Sequence, residues 1–212
     1  MSFNVFYGWI ILIIMLLHSG CENLSSSQIA QSLQEECGFV QNSKGERVSW
    51  KKRYPVLVYF SPSWPVEYKG VVQKAASKWN LALGFEVLKL GEGADLLAIP
   101  KVDKKNGLYW FKDWPEKSKN KQGITQVFYS KNIIRDADIK VNSKHFHFYI
   151  DSYEDQKKVH LESLMIHEFG HLLGLKHMNR LPTVMDPILN LNYERTKISK
   201  IDLESIKCEY KL

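Results

Sequence analysis

Cysteine is scarce in this sequence, with three among 212 residues, so at most one disulfide can form within the chain. Charge is absent from residues 1–20, and the formal net charge of +6 therefore falls wholly on the remainder. The most apolar run, Phe3 to Leu17 (FNVFYGWIILIIMLL), is shorter than the roughly 20 residues that a comfortable membrane span needs. No internal repeat is present. Nor do aromatic residues alternate with basic ones in a recognisable nucleic-acid module, which sets nucleic acid aside as a partner. Basic runs do occur, at Lys51-Lys52-Arg53 and at Lys117 to Lys121. They read as solvated lysines that keep the chain soluble, with steering of an acidic partner as the alternative.

What is present is ordinary globular material. Hydrophobic residues make up 44% and charged residues 25%, a composition that folds, and the length suits one domain with some extra sequence at an end. The uncharged apolar start, followed by Ser19-Gly20 and Cys21, has the layout of an export signal over residues 1–20. Its Ser-Gly-Cys end resembles the processing box of bacterial lipoproteins, which implies Cys21 as a lipidated residue and attachment to a membrane. Secretion, or an uncleaved anchor, is the alternative. Residues 21–47 are polar and Ser/Gln-rich, a tether or a short pro-segment. Residues 48–212 are expected to form the folded domain.

Within that domain Pro55–Phe60 is a short β-rich run bounded by prolines. Val71, Val72, Ala75, Ala76, Trp79 and Leu83 recur at helical spacing, and Gly84 closes that helix. Strands are expected at Phe85–Leu90, Ala94–Pro100, Ile124–Ser130, Ala137–Asn142 and Phe146–Ile150, with a polar loop over residues 112–123. Further helices are expected at about His160–Leu173 and Lys200–Tyr210, the latter capped by Ser199 with Asp202 three positions on. The order is an α+β pattern.

The chemistry lies in His167-Glu168-Phe169-Gly170-His171-Leu172-Leu173-Gly174-Leu175-Lys176-His177. Residues four apart share a helix face, so His167 and His171 can grip one metal ion. Glu168 projects to the side where a water on that metal would sit. A catalytic zinc typically takes three protein ligands. Gly174 can adopt the left-handed conformation that ends a helix and returns the chain, bringing His177 to the metal.

This motif resembles that of the metzincin zinc peptidases. Thr183-Val184-Met185-Asp186-Pro187 is similar to their Met-turn, in which Met185 would floor the zinc site. The short interval from His177 to Met185 and the Met-x-Pro form resemble the matrixins, and residues 71–90, 137–142 and 198–210 look like matrixin elements. The resemblance covers about residues 48–212. It implies a twisted, mostly parallel five-stranded sheet with an antiparallel edge strand, an active-site helix and a C-terminal helix. It also implies a monomeric zinc endopeptidase for proteins or peptides, with Glu168 as general base and Pro187, Ile188 and Leu189 walling the pocket for the side chain after the cut. An exported metal-binding lipoprotein without peptidase activity is the alternative.

Some features depart from the family. Met178 follows His177 where matrixins usually carry a small polar residue, and Asp186 replaces the usual tyrosine. The full ligand set of a second, structural zinc is not found. His145 and His147 either share a metal or mark one exposed strand face. Asp136, Asp138, Asp151, Glu154 and Asp155 are read as solvated carboxylates, with calcium ligation as the alternative. Cys37 has three readings: a disulfide with Cys208, a latency switch that caps the zinc, as the family resemblance implies, or an idle thiol.

Overall fold

The computed structural model describes residues 34–210, apart from 94, 98, 152–156 and 180–181; Cys21, Glu154 and Asp155 lie outside the described residues. Five strands form one sheet: β1 (Val56–Phe60), β2 (Leu88–Glu92), β3 (Asn106–Phe111), β4 (Gly123–Ser130) and β5 (Ile133–Asn142). Their order is β2-β1-β3-β5-β4. The first four positions run parallel, and β4 closes one edge antiparallel to β5. Two further short strands, β6 (His147–Tyr149) and β7 (Lys158–His160), pair in parallel outside that sheet. In β1 the β-branched and aromatic residues Val56, Val58 and Phe60 are buried and alternate with Leu57, which is exposed, and half-buried Tyr59, the period a one-sided strand requires.

Helix α1 (Lys69–Leu83) buries Val72, Ala75, Ala76, Trp79 and Leu83 and ends at Gly84, whose φ of 82° lets its amide reach Asn80 O. Its stripe packs on α2 (Leu161–Leu172), where Trp79 Nε1 donates to Ile166 O at 3.0 Å. Every residue of α2 except His171 is buried, as expected of a helix enclosed on nearly all sides. Two carbonyls beyond its last full turn would be orphaned. Trp50 Nε1 takes Leu172 O at 2.8 Å and Tyr210 Oη takes Leu173 O at 2.7 Å. Helix α3 (Lys200–Lys207) begins with the expected capping box between Ser199 and Asp202.

The segment from residue 36 to residue 50 folds over the end of α2. Val40 N donates to Gly174 O at 3.0 Å, and Lys176 N donates to Gly38 O at 2.8 Å. Phe39 is fully buried. Cys37 is disulfide-bonded to Cys208, just past α3, and Glu36 pairs with Lys176.

Three expectations need correction. Among the described residues of 94–100 there is no strand; the strand lies later, at β3, where it pairs with both β1 and β5. Helix α3 stops at Lys207, and Tyr210 lies beyond it as a core residue. Asp136 and Asp138 are not solvated: both are fully buried on β5, on the face opposite Ala137 and Ile139. Backbone amides of Asp103 and Lys104 donate to Asp136, and that of Gly107 donates to Asp138 at 2.8 Å. His145 and His147 are both exposed.

Candidate metal centre and cleft

Helix α2 places His167 and His171 one turn apart, and Gly174, with a φ of 104°, reverses the chain. A β-carbon on Gly174 would also collide with the carbonyl oxygen of Val48. Glycine is thus required there both by the turn and by the segment packed over it. The return brings His177 back, and the three rings meet: His171 Nε2 lies 3.1 Å from His167 Nε2, which lies 3.2 Å from His177 Nε2.

The nitrogens of His167 and His171 do not bond to one another. His167 Nδ1 faces Val184 O at 2.7 Å and His171 Nδ1 faces Leu175 O at 2.8 Å. A carbonyl only accepts, so each Nδ1 carries the proton and each Nε2 presents a bare lone pair. Burial further lowers the basicity of His167, His171 and His177 and keeps the imidazoles neutral. Converging lone pairs repel unless a cation lies among them. Three neutral imidazoles, two with their second nitrogen tied to backbone, are the donor set that suits zinc. Among the described residues this is the one group of three such side chains able to hold a metal ion.

Met185 is fully buried beneath the histidines. Its sulfur occupies the space that a β-carbon on Gly170 would take, so the glycine between the two histidines of α2 admits the methionine. Asp202 anchors this turn. Besides capping α3, its carboxylate accepts from Thr183 Oγ1 and from Val184 N.

Glu168 is buried beside the histidines. Thr125 Oγ1, on β4, donates to its Oε2 at 2.6 Å. Burial raises its carboxyl to about 7, against the pull of Thr125 and Lys121. Such a group can take and return a proton near neutrality.

A cleft of about 690 Å³ runs along β4 past His167, Glu168, His171 and His177. Pro187, Ile188 and Leu189 are among the residues that line it. Gln122 Nε2 ties that wall to β4 through Leu189 O at 2.9 Å. Cys37 and Cys208 stand away from this cleft, in their disulfide. Sequence reasoning did not single out Thr125, Gly123 or Arg195. Thr125 and Gly123 fall at the edge strand, where Glu168 meets them only through tertiary packing.

No curated protein matches the chain closely enough to count as a relative. The family model described as Matrixin, a peptidase family, matches residues 65–211. That span takes in α1, the sheet from β2 onward, the histidine cluster and α3, and the chain belongs to the matrixin family.

Proposed function

We propose that the protein is a zinc-dependent endopeptidase acting as a monomer on extended protein or peptide segments. Membership of the family makes it a metallopeptidase in general. The finer reading rests on one observation: the Nε2 atoms of His167, His171 and His177 converge beside a buried Glu168 that Thr125 holds in place.

His167, His171 and His177 would hold the zinc and Glu168 would stay off it. When bound, zinc would polarise the scissile carbonyl and lower the pKa of coordinated water toward neutrality. Glu168 then takes the proton from the attacking water and delivers it to the departing amine. Thr125 leaves Oε1 as the oxygen free for that exchange. The substrate backbone pairs with the outer edge of β4, which among the described residues has a strand partner on its β5 side alone. Burial of His167 and Glu168 strengthens the interactions made on that side of the centre, while His177 stands exposed on the other.

The uncharged apolar start and Ser19-Gly20-Cys21 support export, with Cys21 lipidated, or secretion of the same domain. A disulfide suits an oxidising compartment. No helix among the described residues is long and apolar enough to cross a membrane. The test is metal content and peptide cleavage by residues 22–212. Stoichiometric zinc with chelator-sensitive cleavage supports the proposal. Stoichiometric zinc without cleavage of any peptide turns the reading to a metal-binding domain.

A further inference from the structure

The cleft has two unlike ends. Near Tyr129 its walls are apolar, formed by Val40, Val48, Val127 and Leu175. Toward Gly123, where β4 begins, Leu164 and the segment 186–189 frame a recess, and the wall of that recess carries Arg195.

Arg195 is held firmly. Its backbone amide donates to Ser163 Oγ at 2.7 Å, Nη2 donates to Asp186 O at 2.7 Å and Nη1 donates to Ile188 O at 3.0 Å. These two carbonyls orient the guanidinium but carry no full countercharge. Asp186 supplies one only weakly: its Oδ1 lies 3.8 Å from Nη1, beyond hydrogen-bond length, and already accepts from Ile188 N at 2.8 Å. Arg195 Nε is buried without a hydrogen-bond partner. The side chain is only 9% exposed, so its charge is poorly hydrated, and an anionic acceptor brought to it gains more than at the open surface. Lys121 adds a second positive charge at the same end of the cleft.

We infer that Arg195 is a specificity-determining residue: resting on the peptidase reading above, the recess takes the side chain that follows the cut and favours glutamate. The methylenes of a glutamate pack on Leu164, Ile188 and Leu189, and its carboxylate meets the guanidinium. Leucine fills the apolar walls but leaves the cation with only the weak pairing to Asp186, 3.8 Å away. Lysine sets like charges together in a site of low polarity.

The test uses zinc-loaded protein and a set of fluorogenic peptides identical except for Glu, Gln, Leu or Lys just after the cut. The wild type is expected to cleave the Glu peptide with a kcat/KM about tenfold above the Leu peptide, and the Lys peptide least well. Arg195→Met should reverse the Glu-to-Leu order, and Arg195→Lys should keep Glu ahead. An unchanged Glu-to-Leu ratio in Arg195→Met, or an equal loss on all four peptides, overturns the inference and leaves Arg195 as a clamp on the segment 186–189. Should Arg195→Met fail to fold, the wild type decides through salt: the Glu preference must shrink as ionic strength rises, and a salt-independent ratio overturns it. If the zinc-loaded wild type cleaves no peptide, the peptidase reading fails separately. Fluorescence anisotropy then still reads the recess, with tighter binding of the Glu peptide supporting it and equal affinities overturning it.

Discussion

Gly123 and Glu168 share one space: a β-carbon on Gly123 would lie 2.5 Å from Glu168 Oε1. The first residue of the edge strand thus sets where the carboxylate can stand, while Thr125 holds its other oxygen from two residues further on.

Gly123→Ala should therefore displace Glu168 rather than unfold the protein, because the crowded atom is the tip of a side chain. A shift near 1 Å in a reacting group costs about 10²-fold in rate. Steady-state kinetics should show kcat/KM falling by about 10- to 100-fold, with zinc content and melting temperature unchanged. Full activity in this variant would show that Glu168 needs no such placement.

The histidine cluster predicts a metal-dependent stability. Zinc bound to the folded state alone stabilises it by about 4.1 kcal/mol at a thousand times its Kd, and it also relieves the repulsion of the converged nitrogens. Chelation should lower the melting temperature of the wild type by several degrees. His177→Ala should melt at nearly the same temperature with and without zinc. A wild-type melting curve indifferent to chelation would contradict the proposed centre.

Cys37 separates two readings of the segment before the catalytic fold. Its bond to Cys208 closes a sequence separation of 171 residues, which corresponds to about 5 kcal/mol in the chain-entropy description. Cys37→Ser should lower stability measured in urea by an amount of that order and should not raise peptidase activity. A variant more active than the wild type would revive the latency switch.

Asp138 predicts an unusual pH dependence. Unfolded, an aspartate loses its proton near pH 3.9. Folded, burial raises the group to about 7, with the Gly107 amide opposing and nearby Asp136 adding to the rise. Between those values only the folded state holds the proton, so stability falls as pH rises through this window and the loss is complete above it. Asp138→Asn keeps an acceptor for Gly107 and has no proton to lose. Its stability relative to the wild type should rise by a few kcal/mol from pH 4 to pH 8, as denaturant titrations at both ends would show. A constant difference would mean that folding does not raise the proton affinity of Asp138.

Much of the centre was legible because it is local. The spacing of His167, His171, Gly174 and His177 encodes a helix face, a reversal and a return, and Ser199 with Asp202 encodes a helix start. Strand β3 was hidden for the opposite reason. It begins with Asn106-Gly107, a pair that usually marks a turn, and it is held from both sides by β1 and β5 rather than by an alternating pattern of its own. The apolar residues from 94 to 100 mimicked it. Asp136 and Asp138 looked like surface acids because the amides that donate to them lie some thirty residues earlier, just before β3 and at its second residue. Arg195 reaches the cleft only once its guanidinium has closed on Asp186 and Ile188, a contact with no signature in sequence.

The central claim is that Glu168 moves the proton at a zinc held by three histidines. The most direct measurement is cleavage of a broad peptide library by zinc-loaded residues 22–212 beside Glu168→Ala of equal zinc content. The account predicts that the wild type cuts and that the variant, though it keeps its zinc, is slower by about 10²- to 10⁴-fold. Equal cleavage by both proteins would contradict it.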